Sequence, residues 1–286
     1  MSKSNMLLGL ARGKVGDLVF YRDGGEQRTR TRVIPKNPRT PAQQAQRSKI
    51  ANVSALYRAL APIIEQSFTN RPSNQSGYNA FASVAIPVAP YLTKQMAAAD
   101  VVLPQQCQVS KGVLQSLPAR VITLDDDTGF GIPIDTDSAT ISSVGEASTA
   151  LMEEYPTLQV GDKIIAVQLR FTPIPDDFQG VERYTASLSV ESIVIDTDSI
   201  VSLDDVGFVA RDGMLSTGAL SNQFDQFTQL AAFIVCRTDE NGALQCSTEW
   251  ARLSSIAQSL YDGYLTTAAK NEAVASYMAG TESILR

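Results

Sequence analysis

The spacing of apolar residues changes twice along this chain, and that constrains its architecture more than any single motif does. Between residues 41 and 105 apolar positions recur every three or four residues, as on a helix face. From about Cys107 to Trp250 they fall into short, β-branched and often alternating segments, and after Trp250 the helical spacing returns. The β-type segments are Ala119–Leu124, Ser138–Val144, Lys163–Phe171, Tyr184–Ile195, Met214–Leu220 and Ala231–Arg237, separated by Gly, Pro, Asp and Asn clusters. The expected fold is therefore α+β in four parts. A basic β-hairpin arm and connector occupy 1–40 and a helical segment 41–105; an antiparallel β-sandwich or barrel-like domain occupies 106–250 and a C-terminal helical segment 251–286.

The helix after the connector has the best-marked start. Thr40 is placed as its N-cap, Pro41 at the first helical position and Gln43 three residues after the cap, a capping-box arrangement. Ile50, Val53, Leu56, Leu60 and Ile63 then form one apolar stripe, and Pro62 is expected to bend or interrupt the last turns. A second helix is expected near Tyr78–Val84, a further one over Tyr91–Ala98 after Pro87 and Pro90, and C-terminal helices through Leu253, Ile256 and Leu260 and again over Leu265–Met278. The clearest hairpin in the β region joins Phe233–Cys236 to Leu244–Thr248 around Asp239-Glu240-Asn241-Gly242.

Met6–Ile34 reads as a β-hairpin. Val15 and Leu18–Tyr21 are β-prone, Asp23-Gly24-Gly25 is a turn signal, and Gln27–Val33 alternates strictly. The alternation puts Arg28, Arg30 and Arg32 on one face and Thr29, Thr31 and Val33 on the other. Phe20 and Tyr21 lie beside this comb, and Arg39 and Arg47 follow it. Charged residues on a strand also guard a free edge against aggregation, which is the plainer reading of the comb.

Charge divides the chain as sharply as periodicity does. Residues 1–58 carry twelve Lys/Arg and three Asp/Glu, net +9, whereas 59–286 carry twelve against twenty-seven, net −15, within a total of −6. A basic arm on an acidic body points to nucleic acid or to an acidic protein surface, including the body of a neighbouring copy.

The chain has no histidine, which removes the imidazole-based hydrolase triads and the histidine-containing metal centres. Three cysteines, Cys107, Cys236 and Cys246, fit neither a paired framework nor a four-thiolate metal site, and they are expected as reduced core residues. The acidic clusters are weak metal candidates. The loop beginning Asp125-Asp126-Asp127 has Phe130 and Thr136 where an EF-hand needs Gly and Glu, and Asp135/Asp137, Asp196/Asp198 and Asp204-Asp205 suit turns. Gly9, Gly13 and Gly16 precede a strand, so they make neither a dinucleotide nor a phosphate loop. No catalytic residue, metal or cofactor is expected. No run of about 18 apolar residues occurs, and Met1–Leu10 lacks a secretory apolar stretch, so the expectation is a chain without a membrane span, made without export.

Four stretches carry a resemblance. They are Gly13-Lys14-Val15-Gly16, then Asn37-Pro38-Arg39-Thr40-Pro41-Ala42-Gln43-Gln44-Ala45-Gln46-Arg47, then Ser76-Gly77-Tyr78-Asn79-Ala80-Phe81, and then Val109-Ser110-Lys111-Gly112-Val113-Leu114. Over about residues 6–115 the chain resembles an uncharacterised family of Bacteroidetes genomes that is similar to virion proteins of their phages, including crAss-like phages. The resemblance implies a structural subunit of a tailed-phage virion, assembled in the host bacterial cytoplasm, in the neck or tail-ring region. It implies a homo-oligomeric ring or lattice, with portal or tail components as further partners. The interface would then use Arg28, Arg30, Arg32, Arg39, Arg47, Phe20 and Tyr21. Two alternatives stand beside it: a nucleic-acid-binding packaged protein, and a carbohydrate-binding β domain using the aspartates and Trp250.

Overall fold

The computed structural model describes residues 3–5, 10–23, 26–33, 39–124, 127–134, 141–174 and 183–279, and it is an α+β fold. Gly9, the Gly24-Gly25 turn, Asn37-Pro38, Asp125-Asp126, Asp135, Asp137 and Ser138 lie outside the described residues. The chain forms two compact units, Met1–Thr40 and Pro41–Arg286.

The first unit is one antiparallel sheet of four strands in sequence order, β1 (Lys3–Asn5), β2 (Leu10–Val15), β3 (Leu18–Asp23) and β4 (Glu26–Thr31). The expected hairpin is β3–β4, with Leu18 opposite Thr31 and Asp23 opposite Glu26. The arm differs from a lone hairpin because Gly16 turns the chain with φ +59°, which lets β2 pair with β3 as well.

The second unit opens with α1 (Pro41–Ser67), α2 (Gly77–Val88) and α3 (Lys94–Ala98). Pro62 does not interrupt α1, and Pro87 sits within the last turn of α2; both rings are exposed. Ser76 caps α2, its hydroxyl accepting from the Asn79 N–H at 3.2 Å. Fully buried Asn52 on α1 ties the helices to the following segment. It donates to the Leu103 carbonyl at 3.2 Å and to Gln105 Oε1 at 2.8 Å, and it accepts from the Leu103 N–H at 2.9 Å.

The β region follows as β5 (Gln108–Ser110), β6 (Arg120–Leu124) and β7 (Asp127–Pro133), then α4 (Val144–Glu154), then β8 (Lys163–Ile174), β9 (Arg183–Val194), β10 (Phe208–Arg211), β11 (Met214–Thr217), β12 (Gln229–Thr238), β13 (Leu244–Cys246), β14 (Glu249–Trp250) and β15 (Arg252–Leu253); α5 (Ser255–Gly263) and α6 (Thr267–Met278) close the chain. Of the strand expected over Ser138–Val144, the described part, residues 141–144, is corrected. Ser143 accepts from the Glu146 N–H at 3.3 Å while Glu146 Oε2 accepts from the Ser143 N–H at 3.0 Å, a capping box that starts α4.

Two antiparallel sheets, β13-β12-β8-β9 and β10-β11-β7-β6, make the sandwich, while β14 and β5 form a short ribbon. Strand β12 lies at the centre and is buried along Gln229–Cys236 because both of its faces are covered. Leu230, Ala232 and Ile234 join Val167 and Leu169 of β8 against Val53, Leu56, Leu60 and Phe81 of the helices. Ala231, Phe233 and Val235 point the other way, into a second core with Phe130, Ile132, Leu215 and α4. The Phe130 and Phe233 rings, with centroids 5.5 Å apart, join the two sheets directly. Among the described residues no helix is long and apolar enough to cross a membrane.

Candidate functional site

The register of the first unit sorts its side chains by face. Residues directly opposite each other share a face, so Lys14, Val19 and Arg30 lie together, with Tyr21 and Arg28 on the same side. The opposite face carries Val15, Leu18, Phe20, Thr29 and Thr31. The Arg30 guanidinium lies 5.5 Å from the centre of the Tyr21 ring, a cation–π contact that holds the arginine over the strand. The described side chains at 13–21 and 28–33 include none that is buried, and Val15 and Leu18 are 49% and 45% exposed. Among the described side chains of this sheet, Lys14, Arg28 and Arg30 thus share one face and Val15, Leu18 and Phe20 the other, and none of them is buried.

The sequence-predicted interface residues do not all gather there. Arg28 and Arg30 share the basic face with Tyr21, whereas Phe20 faces away with Leu18. Arg32 lies just past β4, its backbone N–H donating to the Asp17 carbonyl at 2.5 Å. Arg39 sits at the end of the unit with φ +49°, a backbone region that non-glycine residues seldom adopt. Arg47 belongs to the second unit. It lies on α1 and donates to Gln44 Oε1 at 3.3 Å; burial raises the Tyr277 phenol above its ordinary value, and the Arg47 charge offsets part of that rise.

The second unit holds a cavity of about 350 Å³, lined by Gln106, Phe130, Phe233, Glu249, Trp250 and Gln258 among others. Glu249 and Arg252 are its charged lining residues, and Glu249 is the less exposed of the two. The β14–β5 register shifts between Glu249 and Trp250, and such a bulge re-aims a side chain. Trp250 ends half exposed and Glu249 mostly buried. Glu249 Oε1 is buried without a hydrogen-bond partner. Burial pushes this carboxyl from an ordinary 4.5 up to about 7, against the opposing pull of Ser247 and Ser116 hydroxyls. The site can take a hydrogen-bond donor or a proton at a carboxyl poised near neutrality. Sequence reasoning missed Glu249, because the bulge that turns it inward has no local signature.

None of the described aspartates lines this cavity with Trp250. Asp198 donates its N–H to Asp196 Oδ1 at 3.1 Å, a turn bond, Asp204 and Asp205 open a short 3₁₀ turn, and Asp127 Oδ1 accepts from Gln226 at 3.3 Å. Among the described residues no three acidic or thiol side chains gather to hold a metal ion. A charged fork serves the structure: Arg237 Nε and Nη2 donate at 2.6 Å to Asp162 Oδ1 and Oδ2 respectively, joining the end of β12 to the start of β8. The three cysteines are free and buried, but Cys236 and Cys246 face each other with their sulfurs 3.2 Å apart, an approach the sequence reading did not foresee. Comparison of the chain with protein-family models, with curated proteins and with solved structures returned no match.

Proposed function

We propose that the protein is a structural subunit of a tailed-phage virion, a neck or tail-ring component whose basic arm clasps the acidic body of the next copy. The observation that carries this reading is the sheet of Met1–Thr40, which sets Lys14, Arg28 and Arg30 on one face and Val15, Leu18 and Phe20 on the other with none of these side chains buried. A single layer cannot bury either face by itself, so Val15, Leu18 and Phe20, none of them buried, would gain from a second layer. The basic face supplies the charge that selects an acidic partner. The net −15 of residues 59–286 provides such a partner in every copy. The arm's two faces, a head-to-tail contact and closed rotation together give a ring. The sequence resemblance to phage virion proteins points the same way.

The test is deletion of residues 1–40. Size-exclusion chromatography with light scattering and electron microscopy should show rings for the whole chain and a folded, unassembled body for the truncated one. Assembly that survived the deletion would overturn the proposal. A second reading draws on Tyr21 beside Lys14, Arg28 and Arg30: the same basic face binds nucleic acid, with affinity falling steeply as salt rises. An electrophoretic shift of duplex DNA at physiological ionic strength would support it, and no shift would remove it.

A further inference from the structure

Cys236 on β12 and Cys246 on β13 are directly opposite in an antiparallel ladder, and both are buried. The phase of the ladder fixes the kind of pair they make. Val235, one residue earlier, sends both backbone groups toward Ser247: its N–H donates to Ser247 Oγ at 3.0 Å and its carbonyl accepts the Ser247 N–H at 2.8 Å. Cys236 therefore turns its own backbone groups toward β8, where it stands opposite Lys163. The two cysteines form a non-hydrogen-bonded pair, the type in which side chains come closest, with Cα atoms about 4.5 Å apart and inside the range a disulfide spans. The turn holds this register firmly. Asp239 Oδ1 accepts the N–H of Asn241 at 2.9 Å and of Ala243 at 2.8 Å, and Gly242 supplies φ +78°. From the observed 3.2 Å, bond formation needs an approach of only about 1 Å.

We propose that Cys236 and Cys246 are a dithiol–disulfide site, oxidised by thiol–disulfide exchange with a low-molecular-weight disulfide, which staples β12 to β13. Cys236 is the attacking sulfur. A hydrogen bond from the Cys246 S–H and the nearby Lys163 charge favour its thiolate, against the opposing effects of burial and of the Asp162 charge. The Cys236 thiolate displaces one thiolate from the small disulfide and forms a mixed disulfide. Cys246 then loses its proton, and its sulfur attacks Cys236, breaking the mixed bond and releasing the second thiolate. The protein loses two hydrogens and two electrons, and the small disulfide becomes two thiols. Cys107 takes no part, because burial alone pushes its thiol up to about 12. The site stands independently of the virion reading.

The native full-length chain, incubated with excess oxidised glutathione at mildly alkaline pH, tests this directly. One sample contains urea below the unfolding transition, so that opening of the hairpin does not limit access. After acid quenching and denaturation the thiol count should fall from the three of the sequence to one, and the intact mass by about 2 Da. Peptide mapping should join Cys236 to Cys246. Cys107→Ser should close as readily, its count falling from two to none, while Cys236→Ser and Cys246→Ser should form no internal bond. Three thiols retained in both samples, glutathione held as a stable adduct, or a bond to Cys107 would each overturn the proposal.

Discussion

Replacing Glu249 by Gln isolates the energetic effect of a carboxyl held where water cannot reach one of its oxygens. In the folded chain this group titrates at about 7 instead of an ordinary 4.5. A raised acid pKa means that the folded state holds the proton more tightly than the unfolded one. Ionised Glu249 therefore destabilises the fold at full strength above pH 7, progressively less as pH falls toward 4.5, and not at all below that. A displacement of roughly two and a half units corresponds to about 3 kcal/mol. Gln keeps the shape but never ionises, so its effect on Oε1's surroundings is the same at every pH. The difference in unfolding free energy between Glu249→Gln and the parent should thus grow by about 3 kcal/mol in favour of the variant from pH 4.5 to pH 8.5. Urea titrations at the two pH values measure it, and the comparison cancels every other ionisable group. The protein's single tryptophan, Trp250, is adjacent to Glu249, so its emission reports both unfolding and the titration near pH 7. A difference that stayed within about 0.5 kcal/mol across that range would show that the carboxyl is solvated, and the reasoning from its burial would fail.

Two further substitutions probe what holds the second unit together. Asp162→Asn removes the charged fork on Arg237 and weakens acceptance of the Gln159 N–H, now 2.8 Å from Asp162 Oδ2; it should destabilise by about 2–3 kcal/mol in urea titration, with Arg237→Lys milder because it keeps the charge. Gly112→Ala would bring a Cβ against the Cys246 carbonyl, within 2.5 Å of its carbon. Because that neighbour is backbone, the segment carrying the Leu114 N–H to Cys246 O bond must move, at a cost of about 3 kcal/mol seen as a lowered thermal midpoint.

The parts of this fold governed by local chemistry were legible in the sequence. Pro41 opens α1, β3 pairs with β4, and the hairpin about Asp239–Gly242 forms at the predicted place. That hairpin also contained the thiol pair, since residues 236 and 246 are equally distant from a turn centred on 241. Spacing along the chain conceals what register across a turn reveals. Helix α4 was hidden for another reason: Thr140, Ile141 and Val144 suggested a strand, and the Ser143-x-x-Glu146 capping box outweighed them, with Ala147 and Leu151 completing the buried face. Pro62 and Pro87 lie within α1 and α2 without interrupting them, and both face solvent, a placement that spacing along the chain does not reveal. Of the candidate interface, the alternation of Arg28 and Arg30 was legible, while the separation of Arg47 onto another unit was not. Glu249 depended on a bulge and on distant strands, contacts that no local pattern encodes.

The unburied side chains of the arm sheet, Val15 and Leu18 among them, bear on how a particle of the proposed kind would be built. Side chains that stay unburied contribute little to holding strands together, so in the proposed assembly part of the contact energy would go into ordering the arm. Each single clasp is then weaker than its area suggests, and a subunit added in the wrong orientation leaves before its neighbours trap it. Only when the ring closes do the clasps act together, because release then requires several to open at once. Reversible at first contact and durable on completion, such a joint lets the particle correct its own mistakes.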